Sequence, residues 1–217
     1  MPRVHATIQG NIGGGKSTLV TRLQETYGED KRICFLQEPV AVWETITDEN
    51  GTTMLELYYS DQKKYAFTFQ MMAYISRLAA LRQAVAQGYD VIIAERSLET
   101  DKNVFAKMLY DDKKISEVEY RVYTKWFEEF RQDFPEEHII YLRTSPTVAL
   151  ARVNKRARQG ESIPLEYLER CHTYHEDWLV SKDPPPKTLV LDADVDHDEN
   201  PTVINVWAQQ IAEFLDI

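Results

Sequence analysis

Cysteine is scarce in this sequence: among 217 residues, only Cys34 and Cys171 carry a thiol. Two cysteines provide no disulfide framework for a chain of this length, and such low usage is typical of proteins that fold in a reducing compartment. Cys171 has His172 and His175 nearby but lacks the second ligand pair of structural zinc sites, so helix packing explains these residues better than metal binding does. We therefore expect a cytoplasmic protein without disulfides.

Long apolar runs and an excess of positive charge are also missing. No apolar run approaches the roughly 18 residues that a membrane-spanning helix needs, and we expect no signal or transit peptide before the first predicted strand. The formal net charge of −10 argues against a nucleic-acid polymer as partner, because binding its phosphates requires many Lys and Arg side chains. These absences favour a small-molecule ligand, for which a few local cations suffice.

What the chain does contain is enough apolar sequence for one core. The hydrophobic fraction of 43% is that of a globular protein, and residues 1–217 fit a single α/β domain. Five short, nearly continuous apolar runs have the character of strands in a parallel sheet covered on both faces. Segments with helical periodicity separate them, as in α/β folds. The predicted strands are residues 4–8, 33–36, 91–94, 139–142 and 188–191.

The first predicted strand leads into a glycine-rich stretch, Gly10-Asn11-Ile12-Gly13-Gly14-Gly15-Lys16-Ser17-Thr18. Its spacing is that of a phosphate loop: a glycine, four residues, and then Gly-Lys-Ser. In such a loop backbone N–H groups surround a polyphosphate, Lys16 reaches the β- and γ-phosphates, and Ser17 holds Mg²⁺. A helix predicted directly after the loop would direct its N-terminus at the anion. The sequence therefore predicts a binding site for ATP or another nucleoside triphosphate.

Two other predicted strands are followed by charged residues at their carboxyl ends, where ligand sites gather in open α/β sheets. After the second strand comes Glu38, whose carboxylate could accept the proton of an attacking hydroxyl beside the phosphate loop. The third strand leads to Glu95 and Arg96, a potential Mg²⁺ partner and a potential phosphate clamp. A surface glutamate before a turn and an ordinary strand-end salt bridge explain these residues nearly as well, so both alternatives stay open.

A long predicted helix offers candidate residues for an acceptor. It covers about residues 64–87 and ends at Gly88, a typical C-terminal stop. One of its faces carries Gln70 and Arg77 with the small residues Ala66 and Ala73 beside them, which leaves space for a ligand. A solvated polar face would show the same spacing.

A basic segment follows the fourth predicted strand. Arg152 and Arg156 stand four residues apart, on one face of a helix predicted over residues 146–158. A flap at about residues 152–162 could close over a phosphoryl group during transfer, neutralise its charge and exclude water. A solvated basic face is the usual explanation of such a run, but the preceding strand, the predicted nucleotide site and Glu161 directly after the run favour the flap.

Together and in this order, these residues resemble the deoxynucleoside kinase family of deoxycytidine, deoxyguanosine and mitochondrial thymidine kinases. The likeness covers nearly the whole chain. Its most specific runs are Phe67-Thr68-Phe69-Gln70 and Ile163-Pro164-Leu165-Glu166-Tyr167-Leu168. The resemblance implies a P-loop kinase fold with an arginine-rich lid, in which helices flank a five-stranded parallel sheet in the order 2-3-1-4-5. It also implies ATP and Mg²⁺ as donor and cofactor, and usually a homodimer.

The resemblance further implies roles for the groups around the transferred phosphate. Glu38 looks like the general base that draws the proton from the sugar 5′-hydroxyl. Arg96 looks like the residue that binds the reacting 5′ oxygen and the phosphoryl group, with Glu95 near Mg²⁺. Arg152 and Arg156 match the arginines of the lid in the family.

On the acceptor side, the resemblance implies a pocket for a neutral deoxynucleoside. Tyr59 and Glu161 look like the pair that holds the 3′-hydroxyl, and Gln70 looks like the residue that hydrogen-bonds the base edge in two places. Aromatic side chains would form the walls around the base; these are Trp43, Phe69 and Phe105. Unpaired polar groups in such a pocket would reject acceptors that lack the matching hydroxyls.

Base preference follows from one charged pair. Arg77 and Asp101 match the pair of the deoxycytidine and deoxyguanosine kinases, whereas members that favour thymidine carry smaller, uncharged residues at the Asp101 position. The pair thus predicts purine deoxynucleosides or deoxycytidine over thymidine.

Two other functions remain as alternatives. A nucleoside monophosphate kinase, such as a thymidylate kinase, would share the loop and the flap but would need cations for the phosphate of its acceptor, where this chain offers Glu38, Tyr59 and Glu161. A non-catalytic relative would bind nucleotide without turnover, although no residue needed for turnover is missing.

Overall fold

A parallel sheet forms the centre of the computed structural model, which describes residues 1–158, 161–181, 183–195 and 201–217. The strands lie in the order β2-β3-β1-β4-β5, and every pairing between neighbours is parallel. This order confirms the fold that the family resemblance implies. Each predicted strand is found within two residues of its expected ends. The strands are β1 (Val4–Gly10), β2 (Ile33–Leu36), β3 (Val91–Glu95), β4 (Glu137–Arg143) and β5 (Thr188–Asp192).

Helices connect the strands and flank the sheet. Among the described residues, no helix is both long and apolar enough to cross a membrane. The helices are α1 (Lys16–Tyr27), α2 (Val40–Glu44), α3 (Met54–Ser60), α4 (Gln62–Ala86), α5 (Leu98–Thr100), a π-helix (Asp101–Ala106), α6 (Lys107–Asp111), α7 (Glu117–Arg131), α8 (Pro146–Arg156), α9 (Leu165–Leu179) and α10 (Pro201–Leu215).

The longest predicted helix corresponds to α4, which begins two residues earlier than expected. Asp61 precedes it, and the Asp61 side chain accepts a hydrogen bond from the backbone N–H of Lys64. Gly88 follows the end of the helix at φ 80°, a left-handed conformation that glycine adopts without steric cost. Helix α8 ends two residues before the predicted boundary, because Ala157 leaves the helical conformation at φ 47°.

The two faces of the sheet have separate apolar cores. Val4, Ala6 and Ile8 of β1 pack with α1 and α10 on one face. On the other face, α4 and α7 pack over Ile92 of β3. The expectation of a continuously apolar first strand is wrong for this second face, where β1 presents the buried polar side chains of His5, Thr7 and Gln9. Thr7 and Gln9 hydrogen-bond to each other and to side chains of other elements.

Short elements that periodicity did not predict bring side chains to the carboxyl edge of the sheet. Helix α3 starts with a capping box, in which Thr53 Oγ1 accepts from the backbone N–H of Glu56 and the Glu56 carboxylate accepts from the backbone N–H of Thr53. The π-helix continues directly from α5, and such wider turns are frequent at functional sites. Both elements contribute residues to one large cleft.

Candidate active site

The phosphate loop lies between β1 and α1, as the sequence predicts. Gly13 and Gly15 adopt φ values of 77° and 86°, which side chains disfavour. A Cβ atom on Gly13 would also lie 2.4 Å from the backbone oxygen of Ala149 in α8, so the loop approaches α8 more closely than any other residue would permit. The loop therefore depends on glycine for both its turn and its packing.

Lys16 is the first residue of α1 and is buried. Its Nζ donates a hydrogen bond to the backbone oxygen of Asn11 at 2.8 Å, which bends the side chain back over the loop. Burial, reinforced by the positive charge of Arg96, lowers the pKa of Lys16 to about 7. The anionic phosphates of a nucleotide would raise this pKa again and hold the ammonium in its charged form.

Ser17 and Glu95 meet at the other side of the loop. Ser17 Oγ donates to Glu95 Oε1 at 3.0 Å, which joins the start of α1 to the end of β3. Within the described ranges, no group of three or more His, Cys, Asp or Glu side chains is arranged to hold a metal ion. The pair itself offers one hydroxyl and one carboxylate oxygen, which are the hard ligands that Mg²⁺ prefers.

Glu38 lies between two arginines. Arg96 Nη1 donates to Glu38 Oε1 at 2.6 Å, and Arg77 Nη2 donates to the same oxygen at 3.2 Å. Burial alone would raise the pKa of Glu38, but the charges of Arg96, Arg77 and Lys16 outweigh it and hold the pKa at about 2. The carboxylate is therefore ionised at neutral pH. Of the two alternatives for Glu38, the structure excludes the isolated surface glutamate.

Arg77 connects this carboxylate to a second one. Its Nε donates to Asp101 Oδ2 at 3.0 Å, and its Nη1 donates to the backbone oxygen of Glu95 at 2.8 Å. Gln70, two turns earlier on α4, donates from Nε2 to the backbone oxygen of Asp101 at 3.3 Å. Burial raises the pKa of Asp101, although the Arg77 guanidinium opposes the shift. The polar face of α4 is therefore buried against the π-helix, and the alternative of a solvated face is excluded.

Aromatic rings line the cleft beyond Gln70. Phe69 stacks on Tyr58 with ring centroids 4.5 Å apart and meets Trp43 edge-on at 5.5 Å. Trp43 Nε1 donates to Ser76 Oγ at 2.9 Å, which fixes the indole against α4. Phe105 lines the same cleft, and the Arg96 guanidinium lies 4.8 Å from the centre of its ring. The cleft therefore combines aromatic rings with the polar side chains of Gln70 and Arg77.

The basic end of α8 faces the cleft. Arg156 Nη2 donates to Glu161 Oε2 at 2.5 Å, and the Glu161 side chain is only 4% exposed. Arg152 also lines the cleft and donates to the backbone oxygens of Ala193 and Val195, each at 2.9 Å. Gln159 and Gly160, in the middle of the predicted lid, lie outside the described residues.

One cleft of about 900 Å³ brings most of the predicted site residues together. Gly10 and Asn11 do not line it; Asn11 instead donates from Nδ2 to the backbone oxygen of Leu168 and ties the loop to α9. The predicted residues that line the cleft are Ile12, Gly13, Gly14, Gly15, Lys16, Ser17, Thr18, Glu38, Trp43, Tyr59, Phe69, Gln70, Arg77, Glu95, Arg96, Asp101, Phe105, Arg152, Arg156 and Glu161.

Some lining residues were not predicted, among them Leu55, Tyr167 and Asp194. Tyr167 lies in one of the family-specific runs, and that run was the available signal. Its hydroxyl lies 3.0 Å from the hydroxyl of Tyr58, where the two buried phenols form a hydrogen bond. Leu55 and Asp194 carried no local signal, because their directions depend on how α3 and the segment after β5 pack.

Comparison with known proteins identifies the family of the chain. The family model described as deoxynucleoside kinase matches residues 6–216. Deoxycytidine kinase 2 of Gallus gallus is 35% identical, covering 81% of this chain and 74% of the relative. Deoxycytidine kinase of Homo sapiens is also 35% identical, with coverages of 81% and 75%. Mitochondrial deoxyguanosine kinase of Xenopus laevis is 33% identical, with coverages of 81% and 73%. This chain belongs to the deoxynucleoside kinase family.

Proposed function

We propose that the protein transfers the γ-phosphoryl group of ATP to the 5′-hydroxyl of a deoxynucleoside, a reaction of nucleotide salvage. The observation that carries this proposal is the position of Glu38. The ionised carboxylate lies in one cleft with the phosphate loop on one side and the Gln70 face of α4 on the other. Because a general base must lie between its acceptor and the donor phosphates, this position supports the reaction directly.

The geometry around Glu38 supports different roles for its two carboxylate oxygens. Both ion pairs use Oε1, and we assign Oε2 to the incoming 5′-hydroxyl. Phosphoryl transfer depends mainly on alignment and charge neutralisation. Lys16, Arg96 and Arg156 would supply the positive charge around the transferred group.

We assign Mg²⁺ to Ser17 and Glu95. Their hydrogen-bonded oxygens fit a hard divalent cation, and Mg²⁺ in kinases is bound by one or two protein groups together with phosphates and water. When bound, the ion would neutralise charge on the β- and γ-phosphates. The protein itself orients the donor through the phosphate loop.

For the acceptor, we propose purine deoxynucleosides or deoxycytidine in preference to thymidine. Gln70 and the Arg77–Asp101 pair would meet the base edge, and the aromatic rings that line the cleft would enclose the base; these are Trp43, Phe69 and Phe105. Tyr59 and Glu161 would hold the 3′-hydroxyl. A nucleoside monophosphate kinase is not favoured, because carboxylates at Glu38 and Glu161 would repel an acceptor that already carries a phosphate.

The test is to offer the four deoxynucleosides at equal concentration with Mg-ATP and to measure each monophosphate formed. We expect deoxycytidine or a purine deoxynucleoside to be the best acceptor. We also expect each nucleoside to be phosphorylated faster than its own monophosphate. Dominant turnover of thymidine would contradict the base preference alone. Faster turnover of a monophosphate than of any nucleoside would contradict the proposed reaction.

We propose that residues 1–217 act as one kinase domain, with a lid at about residues 152–162. The ion pair between Arg156 and Glu161 supports the lid, because it joins the end of α8 to the segment before α9. We place the protein in the cytoplasm. Cys34 and Cys171 are free thiols, which suits a reducing compartment.

We also propose a homodimer, formed through α4 and α7. Val118, Val122 and Trp126 recur every four residues on α7 and are 71%, 41% and 46% exposed, and Ile75 of α4 is 52% exposed. The Tyr74 hydroxyl donates to the backbone oxygen of Trp126, so the two helices lie side by side. Together they present an apolar surface that a second copy would cover. Sedimentation equilibrium tests this; a monomeric mass at micromolar concentration would contradict it.

A further inference from the structure

The central strand β1 carries polar side chains in a place where apolar ones would be expected. His5, Thr7 and Gln9 alternate with the apolar residues of the strand and are at most 3% exposed. Burial of polar groups costs free energy unless each is hydrogen-bonded. Thr7 and Gln9 do have partners: Thr7 reaches Glu137 at the start of β4, and Gln9 reaches Ser97 and Thr100 at the carboxyl edge of the sheet, beside the cleft.

The hydrogen bonds form a chain with a defined direction. Thr7 Oγ1 donates to Glu137 Oε2 at 3.0 Å and accepts from Gln9 Nε2 at 2.9 Å. Gln9 Nε2 also donates to Ser97 Oγ at 3.1 Å, and Gln9 Oε1 accepts from the hydroxyl of Thr100. Because Thr7 gives its hydroxyl proton to Glu137 Oε2, its oxygen is left to accept from the Gln9 amide nitrogen. With the Gln9 amide in this orientation, its oxygen faces the Thr100 hydroxyl, so one orientation of the amide satisfies Thr7, Ser97 and Thr100.

This series of hydrogen bonds ends at α5, the short helix that leads into the π-helix. We call the π-helix the acceptor wall, because Asp101 and Phe105 on it line the cleft where the acceptor is proposed to bind. Ser97 and Thr100 form the capping box of α5: Ser97 Oγ accepts from the Thr100 N–H at 3.3 Å, and Thr100 Oγ1 accepts from the Ser97 N–H at 3.1 Å. Helix α5 has only three residues, of which Leu98 packs in the apolar core beneath α4 and α7. Ser97 and Thr100 are buried as well, so the hydrogen bonds to their side chains help to fix the position of this short helix.

Cleft residues lie on both sides of the cap. Arg96 precedes it, with φ at 62°, a left-handed conformation that is uncommon for a residue with a side chain. Asp101 and Phe105 follow it in the π-helix. Strained backbone of this kind persists where the surroundings hold it in place, and the hydrogen bonds of Ser97 and Thr100 act on the adjacent residues.

We propose that Thr7 and Gln9 are positioning residues for the deoxynucleoside: through Ser97 and Thr100, they hold the segment that presents Arg96, Asp101 and Phe105 to the acceptor. This inference rests on the proposed roles of those three cleft residues. Buried polar networks select one arrangement of the elements they join. Here the elements are β1, β4 and the start of the acceptor wall, so the network acts on the acceptor side.

The test compares Thr7→Val with Thr7→Ser. Valine keeps the shape of threonine but lacks the hydroxyl, whereas serine keeps the hydroxyl. For Thr7→Val we expect kcat/KM for the deoxynucleoside to fall about tenfold, the effect of one buried hydrogen bond, with KM for ATP unchanged. Thr7→Ser should recover most of the loss. Thr100→Val, at the other end of the network, should reproduce the Thr7→Val pattern.

A matched control separates positioning from general stability. Val4→Ala changes a buried residue of the same strand on the opposite face, and we expect it to lower the melting temperature without changing KM for the deoxynucleoside. Equal rises in both KM values for Thr7→Val, or a lower melting temperature with unchanged acceptor kinetics, would overturn the proposal.

The same variants also distinguish failure of this inference from failure of the proposed reaction. Absence of phosphorylation by the wild-type protein would refute the reaction. Deoxynucleoside binding, measured by calorimetry without ATP, still tests the network: weaker binding for Thr7→Val with recovery in Thr7→Ser supports it, and identical binding in both variants refutes it.

Discussion

Replacement of Glu38 by Gln is expected to lower kcat by about 10²- to 10⁴-fold, which is the usual contribution of a positioned general base. Glutamine keeps the shape of the side chain and can still accept from Arg96, so the cleft should remain assembled. It cannot take the proton of the 5′-hydroxyl. Deoxynucleoside affinity, measured by calorimetry, should change much less than kcat does.

The pH dependence sharpens this prediction. A glutamate with an ordinary pKa near 4.5 would lose activity as the pH falls toward that value, whereas the pKa of Glu38 is about 2. Since the group stays ionised above that pH, we expect its titration to produce no acid limb in the kcat profile between pH 4 and pH 6, where a glutamate of ordinary pKa would become half protonated. Glu38→Asp is the control, because it keeps a carboxylate but shortens its reach. An unchanged kcat in Glu38→Gln would remove Glu38 from the base role.

Arg77→Met is expected to destabilise the fold by about 3–5 kcal/mol, the cost of leaving a buried charge without its partner. Arg77 and Asp101 have side chains that are 8% and 3% exposed, and Arg77 also donates to the Glu95 backbone and to Glu38. Methionine fills similar space but leaves Asp101 as an unpaired carboxylate. For a chain of this size, the melting temperature should fall by roughly 6–20 °C.

A second substitution tests whether charge is the cause. Arg77→Met combined with Asp101→Asn removes the unpaired carboxylate, and it should be more stable than Arg77→Met alone. Asp101→Asn by itself should cost less, because Arg77 keeps its ion pair with Glu38. Urea denaturation of the four proteins gives the coupling between the two sites. Additive losses would show that the pair is not coupled and would contradict this account of its stability.

Features set by local sequence were predictable. The apolar run at residues 33–36 predicted the bounds of β2 that the structure has. The glycine spacing likewise located the phosphate loop, because both patterns depend on neighbouring residues only. The end of α8 was missed by two residues, since no pattern marks Ala157 as the residue that leaves the helix. Helices α2 and α3 were missed because they are too short for a periodic signal.

The candidate site was predictable residue by residue but not as an arrangement. Glu38 and Arg96 were recognised separately at the ends of two predicted strands. Their ion pair requires β2 and β3 to be neighbours, and apolar periodicity says nothing about strand order; that order came from the family resemblance. The polar face of β1 was missed, because its partners on α5 and β4 are far away in sequence.

Local spacing and short specific runs were enough to predict the parallel α/β class, the phosphate loop and the family. The contacts of Arg77, in the middle of α4, with both Glu38 and Asp101 emerged only from the three-dimensional structure. In the sequence, Arg77 is 39 positions away from Glu38 and 24 positions away from Asp101. Such contacts depend on how a helix packs over a sheet, and no local pattern in the chain encodes that packing.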